Sequence, residues 1–378
     1  MAMNMQIVTR GWLILRLTDD SPLALSIVMM AFALPMIVVS PIGGALADRI
    51  SRKGLVMLSQ GGNALLTVVL ATLDFTDLIQ FWHLLVIGVL NGTLMAFNLP
   101  SRQSLISDIV PEDKVMNAIS LNNSGMNLSR IIGPAVAGLL IIFIETAGVF
   151  YLITFLYTCS VLSTSPIREE TKSNAHERKG IFTDIRDGFS YAASHPTILF
   201  VIIMFFAGSL FGWPFVALLP AWGREALDVS SDDLGFLMMG IGIGALAGSL
   251  MLASMTRPVK RGKFLIAISL GWGIGIACFS QAGTYFIAMP LLLIVGLTNA
   301  LFMSLSMTLL QTYVTSEMRG RMMSIVMMSF GAMPLSVVPF AALAEKIGTP
   351  NALTISGIIL FVFTLIFSIT NRHYRDID

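Results

Sequence analysis

Long apolar runs separated by short polar turns extend along the whole chain. They place membrane-length helices at about 23–46, 55–73, 80–99, 116–144 and 147–163, and, after a polar stretch over 165–196, at about 197–221, 234–255, 264–282, 285–307, 321–343 and 350–370. Residues 1–17 are mostly apolar but include Asn4, Gln6, Thr9 and Arg10, and they fall short of the about 20 residues a span needs. No basic stretch precedes this segment and no small-residue cleavage site follows it, which argues against a signal peptide. The pattern predicts an all-α integral membrane protein of twelve helices, the first of them truncated at its N-terminus. Six helices fall in residues 1–164 and six in 197–378. Residues 165–196 form a linker in which Ile181, Phe182, Ile185 and Phe189 alternate with Asp184, Arg186 and Asp187 at the spacing of an amphipathic helix lying on the membrane face.

The two halves read as a repeat. Gly11-Trp12 recurs as Gly212-Trp213, Lys53-Gly54 as Arg261-Gly262, and the turn before Met116 as the turn before Met322, at an offset of roughly 205 residues. Parallel six-helix halves place a substrate site between them, near the bilayer midplane. Orientation follows from the basic residues. With both termini in the cytoplasm, eighteen of the 23 Lys and Arg lie in cytoplasmic turns or the tail and only Arg16, Arg224 and Lys346 lie in outer turns. The remaining two, Arg10 and Arg130, fall inside spans.

Composition narrows the function. With 55% hydrophobic and 12% charged residues the chain belongs in a bilayer, and a net charge of +1 gives nucleic acid nothing to bind. Cys159 and Cys278 provide neither a disulfide framework nor a thiolate metal site. His83, His176, His195 and His373 show no ligand spacing, so no metal or cofactor is expected. The absence of a Walker-type phosphate loop, of Gly-x-Ser-x-Gly and of His-Glu-x-x-His argues against an ATP-driven pump, a hydrolase and a zinc protease; the chain does not read as an enzyme.

Several polar residues fall inside apolar spans, where lipid would not tolerate them. Gln6 and Arg10 lie one turn apart in the first segment; Asn91 and Asn98 share a face of the fourth span; Asn299 marks the tenth; and Trp213 offers a flat apolar surface in the seventh. In the fifth span Asn123, Asn127, Arg130 and Pro134 form a stripe, with Arg130 roughly 20 Å along the helix from Met116. A charge that deep is expected to face the bundle interior. No Asp or Glu falls inside a span so drawn, so a proton-coupling carboxylate is not visible.

The turn over 43–54 reads Gly-Gly-Ala-Leu-Ala-Asp-Arg-Ile-Ser-Arg-Lys-Gly. Its glycines suit close helix approach, with Gly54 permitting re-entry, and Asp48 at a helix C-terminus needs a partner elsewhere. This stretch resembles the signature between the second and third helices of the major facilitator superfamily: Gly44, Leu46, Asp48, Arg49, Arg52 and Lys53 match, and Ser51 replaces a usual glycine. Gly133-Pro134-Ala135-Val136-Ala137-Gly138 resembles the fifth-helix motif of the drug-antiporter branch, with Ser129 where that motif begins with glycine. The patterns Arg10-Gly11-Trp12 and Ser21-Pro22-Leu23 are similar to those of bacterial macrolide-efflux and enterobactin exporters.

The resemblance implies a monomeric secondary transporter of the cytoplasmic membrane that exports small amphipathic, drug-like or siderophore-like molecules by proton-linked alternating access. It implies that Gly44, Asp48, Arg49, Arg52 and Lys53 form a conformational latch, with Asp48 meeting the positive end of the eleventh helix when the cytoplasmic side is closed. It assigns Arg130, Gly133, Pro134 and Gly138 to a helix interface, and a substrate cavity to Gln6, Arg10, Asn91, Asn98, Asn127, Trp213 and Asn299. Two readings stand beside it: an uptake carrier for a small anionic metabolite, suited to two intramembrane arginines, and a polytopic membrane protein that does not transport.

Overall fold

The structure, a computed structural model, describes residues 1–47, 51–111, 114–167, 190–255, 260–315 and 318–370. Every regular element among them is helical. In chain order they are α1 (Ala2–Leu17), α2 (Pro22–Ala47), α3 (Arg52–Phe75), α4 (Phe81–Ile109), α5 (Val115–Thr164), α6 (Pro196–Ala207), a π-helical turn (Gly208–Gly212), α7 (Pro214–Leu227), α8 (Ser231–Ser254), α9 (Arg261–Ser280), α10 (Tyr285–Tyr313), α11 (Arg319–Ile347) and α12 (Thr349–Thr370). Eight segments among the described residues are long and apolar enough to cross a membrane, and the shorter apolar helix Pro22–Met36 lies within α2.

The 50 residues of α5 would span about 75 Å as one rod, far more than a hydrocarbon core of about 30 Å. They are in fact two helices merged across a break at Glu145 (φ 57, ψ −179). This is where the hydropathy pattern separates its fifth and sixth spans. By contrast α6, the π-helical turn and α7 make one 32-residue apolar stretch, Pro196–Leu227.

Local chemistry explains several helix ends. Ser51 caps α3, its Oγ accepting from the Gly54 N–H at 3.0 Å, which gives a reason for serine at that position of the turn. Gly54 itself is helical, and a Cβ there would stand 3.4 Å from Ser51 Oγ, an ordinary contact; the expected role in re-entry is not seen. At the start of α4 the Gln80 N–H donates to His83 Nδ1 at 3.0 Å. Gly348 (φ +88) terminates α11, and the Glu225 carboxylate then accepts from the Thr349 N–H at 2.8 Å, holding the start of α12 to α7.

The chain forms two compact units, Met1–Glu177 with Val229–Phe236, and Arg178–Asp228 with Leu237–Asp378. In the first, α3 packs on α4 and α5, α2 on α4, and α1 on α5. Its fully buried large side chains include Met5, Leu13, Ile14, Leu15 and Phe150. In the second, α9 packs on α10 and α12 around Trp222, Trp272, Phe200, Phe205, Phe215, Phe279 and Phe302.

Candidate functional site

Within the first unit, polar side chains from α1, α3, α4 and α5 converge in an otherwise apolar interior. Arg10 Nη2 donates to Asn91 Oδ1 at 2.5 Å, and Asn91 Nδ2 donates onward to Asn63 Oδ1 at 2.7 Å. Gln6 Nε2 reaches Thr67 Oγ1 and Asn91 Oδ1, both at 3.5 Å, while the Tyr157 hydroxyl donates to Gln6 Oε1 at 3.4 Å. Asn63 Nδ2 and Thr67 Oγ1 also donate to backbone carbonyls one turn back, at 2.8 and 2.7 Å. A second link lies further along α4, where Asn98 Nδ2 donates to Ser59 Oγ at 2.6 Å. Gln6, Ser59, Asn63, Thr67, Asn91 and Asn98 are buried and Arg10 is half-buried. The arrangement fixes Arg10 with an amide rather than a carboxylate, and no ion pair among the described residues compensates its positive charge.

Four cavity residues expected from the sequence, Gln6, Arg10, Asn91 and Asn98, are thus interhelical hydrogen-bonding residues of one network. Sequence reading missed its α3 half. Ser59, Asn63 and Thr67 recur every four residues, which lines them along one helix face and is a legible signal. Tyr157 gives no comparable signal.

The fifth-helix expectations divide. Gly133 is buried against α1: a Cβ there would come within 2.9 Å of Asn4 Cβ. Gly138 faces the first turn of α8, where a Cβ would lie 2.3 Å from the Ser231 carbonyl oxygen, and a Cβ on Gly235 would lie 2.7 Å from the Pro134 carbonyl oxygen. Gly138, Pro134 and Gly235 therefore form a backbone-to-backbone seat inside this unit. Arg130 departs from its expectation. It is exposed, as are Asn127 and all of residues 124–128; the first buried positions among the described residues of α5 are Gly133 and Pro134, where α1 and α8 meet it. The side chain of Asn123 lies outside the described residues.

In the second unit Trp213 is half-buried and stands at the break just after the π-helical turn. That turn packs against aromatic rings: a Cβ on Gly208 would lie 2.6 Å from Phe302 Cε1 and one on Gly212 2.3 Å from Trp272 Cη2, with the Trp272 and Phe302 ring centroids 5.5 Å apart. Ser356 Oγ donates to the Phe211 carbonyl at 2.5 Å, satisfying a group that the irregular turn leaves open. Asn299 Nδ2 is buried without a partner among the described residues, as are Ser209 Oγ, Trp272 Nε1 and Ser306 Oγ.

Of the expected latch, Asp48 and Arg49 lie outside the described residues, and Gly44 is in α2 with its surroundings undescribed. Arg52 and Lys53 open α3, and Lys53 Nζ donates to the Ser165 carbonyl just beyond α5 at 2.5 Å. Of the linker, residues 168–189, with its expected amphipathic helix, also lie outside.

A carboxylate does enter a span, contrary to the sequence expectation. α3 continues to Phe75, and Asp74 in its last turn is buried. Arg16 Nη2 donates to Asp74 Oδ1 and Thr146 Oγ1 to Asp74 Oδ2. Apolarity alone ended the span at 73; the acid stays inside because Arg16 and Thr146, distant in sequence, meet it.

A family profile described as transmembrane secretion effector matches residues 1–376. The chain is similar to the staphyloferrin A transporter of Staphylococcus aureus, 23% identical over 97% of this chain and 91% of that protein. It is similar to the multidrug efflux pump Tap of Mycolicibacterium fortuitum (25% identity, 90% and 85% covered) and to macrolide efflux protein A of Streptococcus pyogenes (22%, 93% and 88%). Among solved structures it resembles the nucleoside transporter NupG, with TM-score 0.76 at 14% identity over 97% of this chain and 96% of that one. An inward-facing bacterial homologue of the lysosomal transporter Spinster gives 0.71 at 13% identity over 99% and 94%.

Proposed function

Because the chain belongs to the transmembrane secretion effector family of major facilitator transporters, we propose that it exports small amphipathic molecules across the cytoplasmic membrane by proton-linked alternating access. The observation that carries this reading is the buried network of Gln6, Arg10, Asn63, Thr67, Asn91 and Tyr157. Polar groups inside a span are costly unless they serve packing or a solute path, and this set includes a charge with no acid partner among the described residues. Relatives named for siderophore transport and for drug and macrolide efflux support export as the direction. Twelve helices, a cytoplasmic N-terminus and a monomeric state complete the proposal, the second from the bias of basic residues.

One observation favours a second reading of the substrate. Arg10 is held by an amide, so the network offers a fixed positive charge to an anion. The test uses inside-out membrane vesicles energised by respiration, with neutral, cationic and polycarboxylate amphipathic compounds, with and without an uncoupler. The expected result is uncoupler-sensitive uptake that Arg10→Gln greatly reduces. Uptake by Arg10→Gln at the wild-type rate overturns the role given to the network, and a failure of well-expressed protein to move any compound overturns export. Preference for the polycarboxylates selects the anionic reading.

A further inference from the structure

Three buried side chains on one face of α3 spend their donors on the backbone about one turn back. Ser59 Oγ donates to the Val56 carbonyl at 2.9 Å, Asn63 Nδ2 to the Ser59 carbonyl at 2.8 Å and Thr67 Oγ1 to the Asn63 carbonyl at 2.7 Å. A backbone carbonyl can only accept, so the atom each side chain turns to its neighbours is an accepting oxygen. The neighbours obey this rule: Asn98 Nδ2 donates to Ser59 Oγ, Asn91 Nδ2 to Asn63 Oδ1, and Gln6 Nε2 reaches Thr67 Oγ1. The chain of amides from Asn63 through Asn91 closes on Arg10, whose guanidinium can only donate. Between a group that only accepts and one that only donates, the two amides have a single orientation that satisfies both. Asn91 Oδ1 therefore faces α1, where it accepts from Arg10 Nη2 at 2.5 Å and lies 3.5 Å from Gln6 Nε2.

We infer that Asn63 is a positioning residue for solute selection: by fixing the direction of the Asn91 amide it holds the Arg10 guanidinium ready for a solute that carries a carboxylate. Among the described residues Arg10 makes this one hydrogen bond, and its remaining N–H groups are unspent on a side chain that is only half-buried. A planar guanidinium with free N–H groups matches a carboxylate bidentately, and it binds better when its place is set beforehand. Without an acceptor at position 63 the Asn91 amide is free to turn its NH2 group towards Arg10. Donor then faces donor, and the guanidinium loses the contact that places it. Binding here is by hydrogen bonds and charge alone, with no bond made or broken. The inference deepens the anionic reading of the substrate and rests on it.

The experiment measures binding to the full chain in lipid nanodiscs by equilibrium dialysis, with naphthoate and with naphthamide, a neutral compound of the same shape. The readout is the ratio of the two dissociation constants, which a general loss of stability leaves alone because both compounds meet the same fold. The wild type is expected to bind naphthoate about tenfold more tightly, the worth of a hydrogen-bonded charge, and Arg10→Gln to remove that preference. Asn63→Val and Asn63→Ala, which lack the acceptor, are expected to bring the ratio close to one by weakening naphthoate. Asn63→Thr, of the same shape as the Val variant, is expected to keep it. Its hydroxyl donates to the Ser59 carbonyl and then accepts from Asn91, as Thr67 does for Gln6. A wild-type preference in either the Val or the Ala variant, or its loss in Asn63→Thr, overturns the role of Asn63. If Arg10→Gln alone removes the preference, the anionic reading stands without that role; if the wild type shows no preference, both fall. Dialysis needs no transport, so a failure of export leaves the result intact.

Discussion

The two units differ in what dominates their interiors, although each holds both paired and unpaired buried polar groups. In the first, a linked polar set stands out: Arg10, Gln6, Asn91, Asn63 and Tyr157 are joined across four helices and both oxygens of Asp74 are engaged, while Gln60 Oε1 and Ser101 Oγ have no partner among the described residues. In the second, large rings press against glycine backbone, and Ser209, Trp272, Asn299 and Ser306 bury polar atoms with no partner among the described residues. The difference separates two sources of stability. The first unit depends on pairing, in which the loss of one member leaves its partner unsatisfied. The second depends on shape, in which added volume does the damage and lost polarity does little.

Four substitutions test this contrast, and thermal stability of the purified protein in detergent reads all of them. Gly212→Leu should do most harm, about 3 kcal/mol, because even its first carbon would sit 2.3 Å from Trp272. Stability close to wild type would mean that the glycine and the ring are not locked together. Asn91→Leu follows at about 2 kcal/mol, since it strands both Arg10 and Asn63; an effect no larger than a surface change would dissolve the network as a unit. Asn98→Ala breaks a single interhelical bond to Ser59 and should cost about 0.6 kcal/mol, the average for such bonds in membrane proteins. Ser306→Ala, in the second unit, should be neutral or slightly stabilising, because it removes a buried hydroxyl without a partner. A large loss there would show that Ser306 has a partner after all.

The legible part of this molecule was the part set by local hydropathy. Apolar runs located the spans, and even the division of α5 at Glu145 followed from a dip in the pattern. Individual positions were legible where helix periodicity alone decides them, as for Asn91 and Asn98, and Ser59, Asn63 and Thr67 obey the same rule. What the sequence hid depends on partners remote in the chain. Asp74 looks like a residue that ends a span, and only Arg16, 58 positions earlier, and Thr146, 72 later, make it an interior one. Arg130 shows the converse: its depth along α5 suggested that it faces the bundle interior, but exposure depends on which helices lie alongside, and the first buried positions among the described residues of α5 are Gly133 and Pro134.

Glu145 has a consequence for how this protein can vary over evolutionary time. Most turns between membrane helices can gain or lose residues, since slack in the turn absorbs the change. Here one residue in a backbone region otherwise reserved for glycine joins the two halves of α5. An extra residue beside it would rotate one half relative to the other by about 100°. Rotation of the second half would take Thr146 from Asp74 and Tyr157 from Gln6, and rotation of the first would take Gly133 from Asn4 and Gly138 from Ser231. The length of this junction is therefore expected to stay fixed among functional descendants, while the turns around it drift.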